Sequence, residues 1–284
     1  MPLEGLIDCF GNTVPWSKLA ETYTRGHWVI PTDIAPGGGS WPLAFLLALG
    51  SGREQPDGIR VSSLLESPLR AGLKRSQPFW SKPHELLYMV DGTAVHWWLA
   101  QAGPSGAEER VHMQIGTFDL ASPVVVSGQP DSFNAKTGTL SDYKRMTSFG
   151  LKKLLENGLE AERPEYVWQL RFYAVLLAEN GHKVVPPYQL LVWASDWRKP
   201  MRGQPRDPRF GVFEVMPGEN DRAELVTRVE ALMSLEARAL RLDDACEDRE
   251  KFGVVSYGGL GVPRRCAEYC SVNRYCPWWQ MATK

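Results

Sequence analysis

Asp142 and Lys144 stand two positions apart in SDYKR, and on a strand that spacing puts both side chains on one face. A carboxylate beside a lysine is a useful pair for phosphate chemistry. The carboxylate can take a hard divalent cation such as Mg2+ or Mn2+, and the lysine adds positive charge and can orient a water. Phosphodiester hydrolysis asks for both: charge offset on the phosphoryl oxygens and a source of hydroxide near neutral pH. Tyr143 turns to the opposite face, and its carbonyl can approach the same cation.

A DxK triplet is common on solvated strands, so it needs partners. Asp119 closes the apolar run VHMQIGTFDL, where Ile115, Thr117 and Asp119 share a face and Gly116 permits close approach by a neighbour. An acid ending a half-buried strand needs a reason, and a metal supplies one. Asp131, in the literal Pro130–Asp131 pair, competes as the second carboxylate and is nearer to Asp142 in sequence. Its turn-like setting favours Asp119. His96, beside Trp97 and Trp98, is a third candidate ligand through one ring nitrogen, or a packed core histidine.

The elements that would position these residues follow from periodicity. Helices are expected in SSLLESPLRAGLKRS from Ser62 and over 84–101, with Gly92 weakening the second. Strands are expected over 111–120, 123–126 and 139–144, together forming a small antiparallel meander. Pro164 suits a first helical turn, and Val167, Leu170, Tyr173, Ala174 and Leu177 mark one apolar stripe running to Gly181. Strands at 188–195 and 210–216 and a long charged helix over about 221–248 complete the order. Residues 1–39 show no sustained periodicity, and GGLG at 258–261 reads as a flexible turn.

GTAVH at 92–96, GTFD at 116–119, DYK at 142–144 and QLRFY at 169–173 resemble, in this order, the motifs of RecB-family nucleases of the PD-(D/E)xK superfamily. The resemblance covers about residues 60–280 and implies an α/β fold: a restriction-endonuclease-like core, a central mixed sheet flanked by helices, and a C-terminal cysteine-rich clasp. It implies that His96, Asp119 and Asp142, with the Tyr143 carbonyl, bind Mg2+ or Mn2+ and that Lys144 positions the water. Gln169 and Tyr173, one helical turn apart, would then steady the site and meet the DNA backbone. The implied activity is a DNA exonuclease acting on single-stranded or end-containing DNA, in repair, recombination or spacer processing. A catalytically weak DNA-binding or structural module on the same scaffold is the alternative.

Three of the five cysteines, Cys266, Cys270 and Cys276, fall close together in RRCAEYCSVNRYCPWW. An odd count clustered this way favours a thiolate metal site over a disulfide framework. The cluster resembles the [4Fe-4S] clasp of the CRISPR-adaptation nucleases at its last three positions, whereas Ser67 in SPLR stands where that family's first cysteine is expected. Cys246 is the preferred fourth ligand and Cys9 a second candidate, with Zn2+ the alternative to iron–sulfur.

The chain has 284 residues with 43% hydrophobic and 23% charged residues, which is the composition of a folding protein. The longest apolar run, WPLAFLLALG at 41–50, is half a membrane span, so no membrane association is expected. The opening MPLEGLID lacks a basic, apolar leader pattern, and the expected location is cytoplasmic. A net charge of −1 excludes a chain coated in positive charge. Positive charge is instead gathered between Trp197 and Phe210, where Arg198, Lys199, Arg202, Arg206 and Arg209 face the single Asp207, a composition suited to phosphates. No HExxH or GxSxG occurs, which removes the zinc-protease and serine-hydrolase readings. The expected organisation is an N-terminal arm or irregular extension over 1–60, a nuclease core over 61–250 and a cysteine-rich module over 251–284.

Overall fold

The computed structural model describes residues 3–30, 32, 39–50, 58–87, 92, 94–95, 110–116, 123–196, 207–237, 254–268 and 270–284. His96, Asp119 and Cys246 lie outside these residues, as does most of the basic 197–210 segment. In chain order the strands are β1 (Leu3–Ile7), β2 (Thr13–Pro15), β3 (Ile59–Arg60), β4 (Phe79–Ser81), β5 (Val111–Ile115), β6 (Val124–Gly128), β7 (Ser132–Asn134), β8 (Thr139–Met146), β9 (Tyr188–Ala194), β10 (Phe210–Val215), β11 (Val254–Tyr257) and β12 (Leu260–Pro263). The principal helices are α1 (Leu43–Gly50), α2 (Pro68–Ser76), α3 (Ser148–Asn157), α4 (Pro164–Glu179) and α5 (Asp221–Ala237). The protein is thus mixed α/β. No helix among the described residues is long and apolar enough to cross a membrane.

The chain divides into two compact units, one made of 1–55, 66–93 and 231–284, the other of 56–65 and 94–230. The second unit holds the DYK strand. Its four-stranded sheet has the order β10-β9-β8-β7, with β8 and β9 parallel and the outer pairs antiparallel. A parallel pair needs a crossover, which α3 and α4 provide. Thr147 starts α3 by accepting the Gly150 N–H at 3.1 Å, and Asp196 accepts both the N–H and the hydroxyl of Ser148 at 2.6 and 2.8 Å. Pro164 opens α4 as its composition requires, and Gly181, at φ +82°, follows its end.

The expected stripe on α4 is buried at every position, and Phe172 and Leu176 are fully buried beside it. The helix is therefore embedded on more than one face. Leu140, Leu151, Leu190, Val192, Leu225 and Val229, none of them exposed, complete this core.

The three-stranded meander is corrected by the observed pairing. β5 and β6 are antiparallel, but they belong to a separate sheet with β3, ordered β3-β6-β5, and β8 pairs with β7 and β9 instead. The chain leaves the first sheet after Gly128, and Gln129–Asp131 leads into a second hairpin. Periodicity located the strands but could not see that this short connection changes sheets.

In the first unit, the sequence reading left residues 1–39 without structure, yet β1 and β2 form a hairpin extended by β4 into the sheet β2-β1-β4. Strands of five and three residues are too short to show a period. Their burial comes from Leu6, Leu19, Trp28, Trp41, Leu46, Leu49 and Leu86, which form one apolar cluster. The GGLG segment contributes the turn of the β11–β12 hairpin. Gly258 and Gly259 have φ of +57° and +86°, the left-handed pair that a two-residue hairpin turn demands.

Candidate active site

β8 alternates across its sheet as a half-buried strand should. Leu140 and Asp142 are wholly buried and Lys144 follows on the same face, paired in register with Leu190 and Val192 of β9. Tyr143 faces the other way, opposite Leu191. The expectation that Asp142 and Lys144 share a face therefore matches the geometry, and their side chains form an ion pair through Lys144 Nζ and Asp142 Oδ2.

Asp131 joins them. The β7–β8 register pairs Ser132 with Ser141, and one further step along both chains sets Asp131 opposite Asp142. Asp131 Oδ2 accepts the Tyr143 N–H at 2.8 Å, which pins the carboxylate across the hairpin. The literal PD dipeptide was the sequence signal for this residue.

With both acids ionised, two carboxylates and one ammonium leave this cluster one negative charge in excess. Burial pushes the Asp142 carboxyl up to about 7, with Lys144 opposing the rise and Asp131 adding to it. Burial alone would lower Lys144, but Asp142 and Asp131 outweigh it and hold the ammonium above its ordinary range. Besides the ion pair with Lys144, the Asp142 carboxyl meets the Asp131 side chain in a hydrogen bond that raises its pKa. A fully buried carboxylate whose neighbours are one ammonium and a second acid is costly on its own account. A divalent cation would supply compensating charge, and the donor set fits one in kind: the Asp142 carboxylate on β8, the Asp131 carboxylate just before β7 and the Tyr143 carbonyl. Among the described residues no group of three or more His, Cys, Asp or Glu side chains is gathered for a metal, so two carboxylates are what the described part provides.

Helix α4 covers the cluster. The Tyr166 ring lies beneath Lys144 Nζ, 5.6 Å from its centroid, and Tyr173 is placed by Gly128, where an added Cβ would come within 2.9 Å of the Tyr173 ring. Gln169 Nε2 donates to the Tyr173 hydroxyl at 2.9 Å. Burial raises the Tyr173 phenol, and Asp142 raises it further, so the hydroxyl stays protonated and available as a donor. Gln169 and Tyr173 thus act as the unit their spacing implied. Tyr166 and Gly128 were not singled out from sequence. Tyr166 stands seven residues before Tyr173, two helical turns away on the same face, which was the available signal.

The described cysteines belong to the first unit. Cys266, Cys270 and Cys276 form no disulfide among the described residues. Cys266 packs with Val262 and Trp279, Cys270 with Leu69, Leu73 and Val272, and Cys276 touches both groups. Burial lowers the Lys74 pKa, opposed chiefly by Glu66 and least by Cys270. Ser67 caps α2 by accepting the Arg70 N–H at 3.4 Å. The thiols share one neighbourhood, but they do not close into a coordinating group among the described residues.

No protein-family model matches the chain, and no curated protein is significantly similar to it. Among solved structures, one described as "Crystal structure of SSO0001" is similar at 15% identity with a TM-score of 0.49, covering 82% of this chain and 94% of that one. That likeness is too slight to transfer any function.

Proposed function

We propose that this protein is a divalent-metal-dependent deoxyribonuclease, an exonuclease on single-stranded or end-containing DNA, with a restriction-endonuclease-like core. The observation that carries the reading is the pair formed by the fully buried Asp142 and the half-buried Asp131, two acids against the single ammonium of Lys144. A bound Mg2+ or Mn2+ would offset phosphoryl charge and lower the pKa of water near the scissile bond. Asp131, just before β7, and Asp142 on β8 would hold that ion across the hairpin, with Asp131 anchored by the Tyr143 N–H. Lys144, kept protonated, orients the attacking water and meets the developing negative charge. Tyr173, braced by Gln169, offers a donor to the DNA backbone. Asp131 takes the second carboxylate position in this proposal, and His96 is retained as a further ligand.

The cysteine module is proposed as a structural clasp for a [4Fe-4S] cluster or Zn2+. Its thiols are of the right chemical kind, and no catalytic step passes through them. A visible absorption spectrum, brown for iron–sulfur and colourless for zinc, distinguishes the two metals without reference to activity.

The test is cleavage of end-labelled single- and double-stranded DNA, linear and circular, with Mg2+, Mn2+ or chelator. Metal-dependent loss of linear DNA with circles spared is the expected result. Cutting of circles would make the enzyme an endonuclease. DNA binding without cleavage would leave the scaffold as a binding module, and neither binding nor cleavage by folded, metal-replete protein would remove nucleic acid from the assignment.

A further inference from the structure

Beside Gln169 and Tyr173, helix α4 turns Tyr166 toward the carboxylate cluster. Tyr166 stands three positions before Gln169 and seven before Tyr173, on the same helix face. Its ring lies under the Lys144 ammonium, with 5.6 Å from Nζ to the ring centroid. We infer that Tyr166 is a positioning residue for Lys144: the negative face of its ring keeps the ammonium in the site when a divalent cation takes the Asp142 carboxylate. The catalytic consequence rests on the nuclease reading, whereas the contact between ring and ammonium does not.

Lys144 is held by two partners of different kinds. Asp142 Oδ2 forms the ion pair, and the Tyr166 ring lies beneath the ammonium. The carboxylate that serves Lys144 is also the one that fits a divalent ion, and two cations drawn to one carboxylate repel each other. Lys144 therefore loses part of its hold on Asp142 in the loaded protein. A lysine carries its charge on a long flexible stem, so a weakened ion pair releases rotamers unless something else confines the ammonium. The ring does so by its quadrupole, which attracts the ammonium whether or not Asp142 is shared, and more strongly out of water. The Lys144 side chain is only 19% exposed, which gives that attraction a poorly solvated setting. Burial raises the Tyr166 phenol, with Arg163 and Lys144 opposing the rise, so the residue stays a neutral ring. Pro164 opens α4 two residues earlier, so the ring is carried on the same regular backbone that carries Gln169 and Tyr173.

Replacing residue 166 in the full chain separates the charge distribution of the ring from its shape. Tyr166→Phe keeps the ring face, Tyr166→trifluorophenylalanine drains its negative charge at nearly constant shape, and Tyr166→Leu removes it. The first measurement is the acetylation rate of Lys144 by an activated ester, mapped by mass spectrometry, with and without Mn2+. Lys152, 59% exposed on α3, is the internal reference. With Mn2+, the parent and Tyr166→Phe should label alike and slowly, the fluorinated form about threefold faster and Tyr166→Leu about tenfold faster. Without metal the series should narrow, because Asp142 then holds Lys144. The second measurement is DNA cleavage, where kcat should fall along the same series with KM unchanged. Thermal unfolding should not distinguish Tyr166→Phe from the fluorinated form. Equal labelling of these two forms would overturn the inference and leave Tyr166 to packing, and a rise in KM at constant kcat would overturn it by placing the ring on the DNA. A graded labelling series in a protein that cleaves no DNA would keep the positioning and remove the nuclease reading; a flat series in a protein that cleaves would do the reverse.

Discussion

Two buried aspartates, one in each unit, show how the same side chain is put to opposite uses. Asp8 and Asp142 are 4% and 0% exposed. Burial alone would raise both, yet Asp8 is held below the usual carboxylate range by Asn12, Phe10 and His27, whereas Asp142 rises to about 7. The difference is the supply of donors. Asp8 sits in a turn whose own backbone and neighbours saturate it, and it is shielded by those neighbours more than by depth. Asp142 sits on a central strand whose backbone groups are committed to the ladder, and it faces a second acid. A saturated buried carboxylate is an anchor. One left beside a second acid has its pKa pushed up, the signature of a group that a proton or a cation would relieve.

The largest expected effect separates the two by activity. Asp142→Asn should lower metal-dependent DNA cleavage by roughly 10^3-fold or more, and Lys144→Ala by a comparable factor. Asp8→Asn should leave cleavage within about threefold. Single-turnover assays on labelled DNA measure all three, and equal losses from Asp8→Asn and Asp142→Asn would erase the contrast.

Stability should reverse the order. Asp8→Asn strands donors that now meet an amide, at a cost of about 2 kcal/mol. Asp142→Asn, in chelator at pH 8, removes the excess charge and leaves Lys144 facing Asp131, so stability should be unchanged or higher. Lys144→Ala leaves the buried Asp142 facing Asp131 without their ammonium and should cost about 3 kcal/mol. Urea unfolding of the three variants resolves these signs.

The pH dependence sharpens the same contrast. The folded Asp142 pKa is raised, so its native-state proton stabilises fully below about 4, and that contribution is lost as pH rises through about 7. The folded Asp8 pKa is lowered, so its contribution is present above the ordinary carboxylate value and is lost as pH falls through the folded one. Mg2+ or Mn2+, competing with the Asp142 proton, should therefore raise the melting temperature more at pH 8 than at pH 5. Asp142→Asn should abolish that difference, and Asp8→Asn should leave it intact.

The parts of this site that were legible in the sequence are those carried by regular periods. The two-residue spacing of Asp142 and Lys144, and the four-residue spacing of Gln169 and Tyr173, fix shared faces once strand and helix are recognised. The place of Asp131 was less legible, because it depends on hairpin register and on the change of sheet after Gly128, neither of which leaves a period. The Pro130–Asp131 dipeptide marked the position, but a turn composition hid the strand pairing that begins one residue later. Asp8 was not legible at all. Its four contacts are made by a tight turn and by a histidine nineteen residues away, and nothing in local composition separates such a turn from solvent-exposed loop.

The smallest effects concern the helix that covers the cluster. Gly128→Ala places a methyl against the Tyr173 ring at 2.9 Å and against Leu176 at 3.1 Å. The ring must move, which should cost about 1–3 kcal/mol of stability and lower cleavage by about tenfold. Tyr173→Phe keeps the ring and its packing but removes the hydroxyl that Gln169 braces. If that hydroxyl meets the DNA backbone, its loss should raise KM by about five- to tenfold with kcat nearly unchanged, the pattern of a contact made equally in ground and transition states. A fall in kcat at constant KM would instead place Tyr173 on the carboxylate cluster, acting through Asp142. The split between the two constants thus assigns the tyrosine to the DNA or to Asp142, and a silent Tyr173→Phe beside a damaged Gly128→Ala would assign it to packing alone.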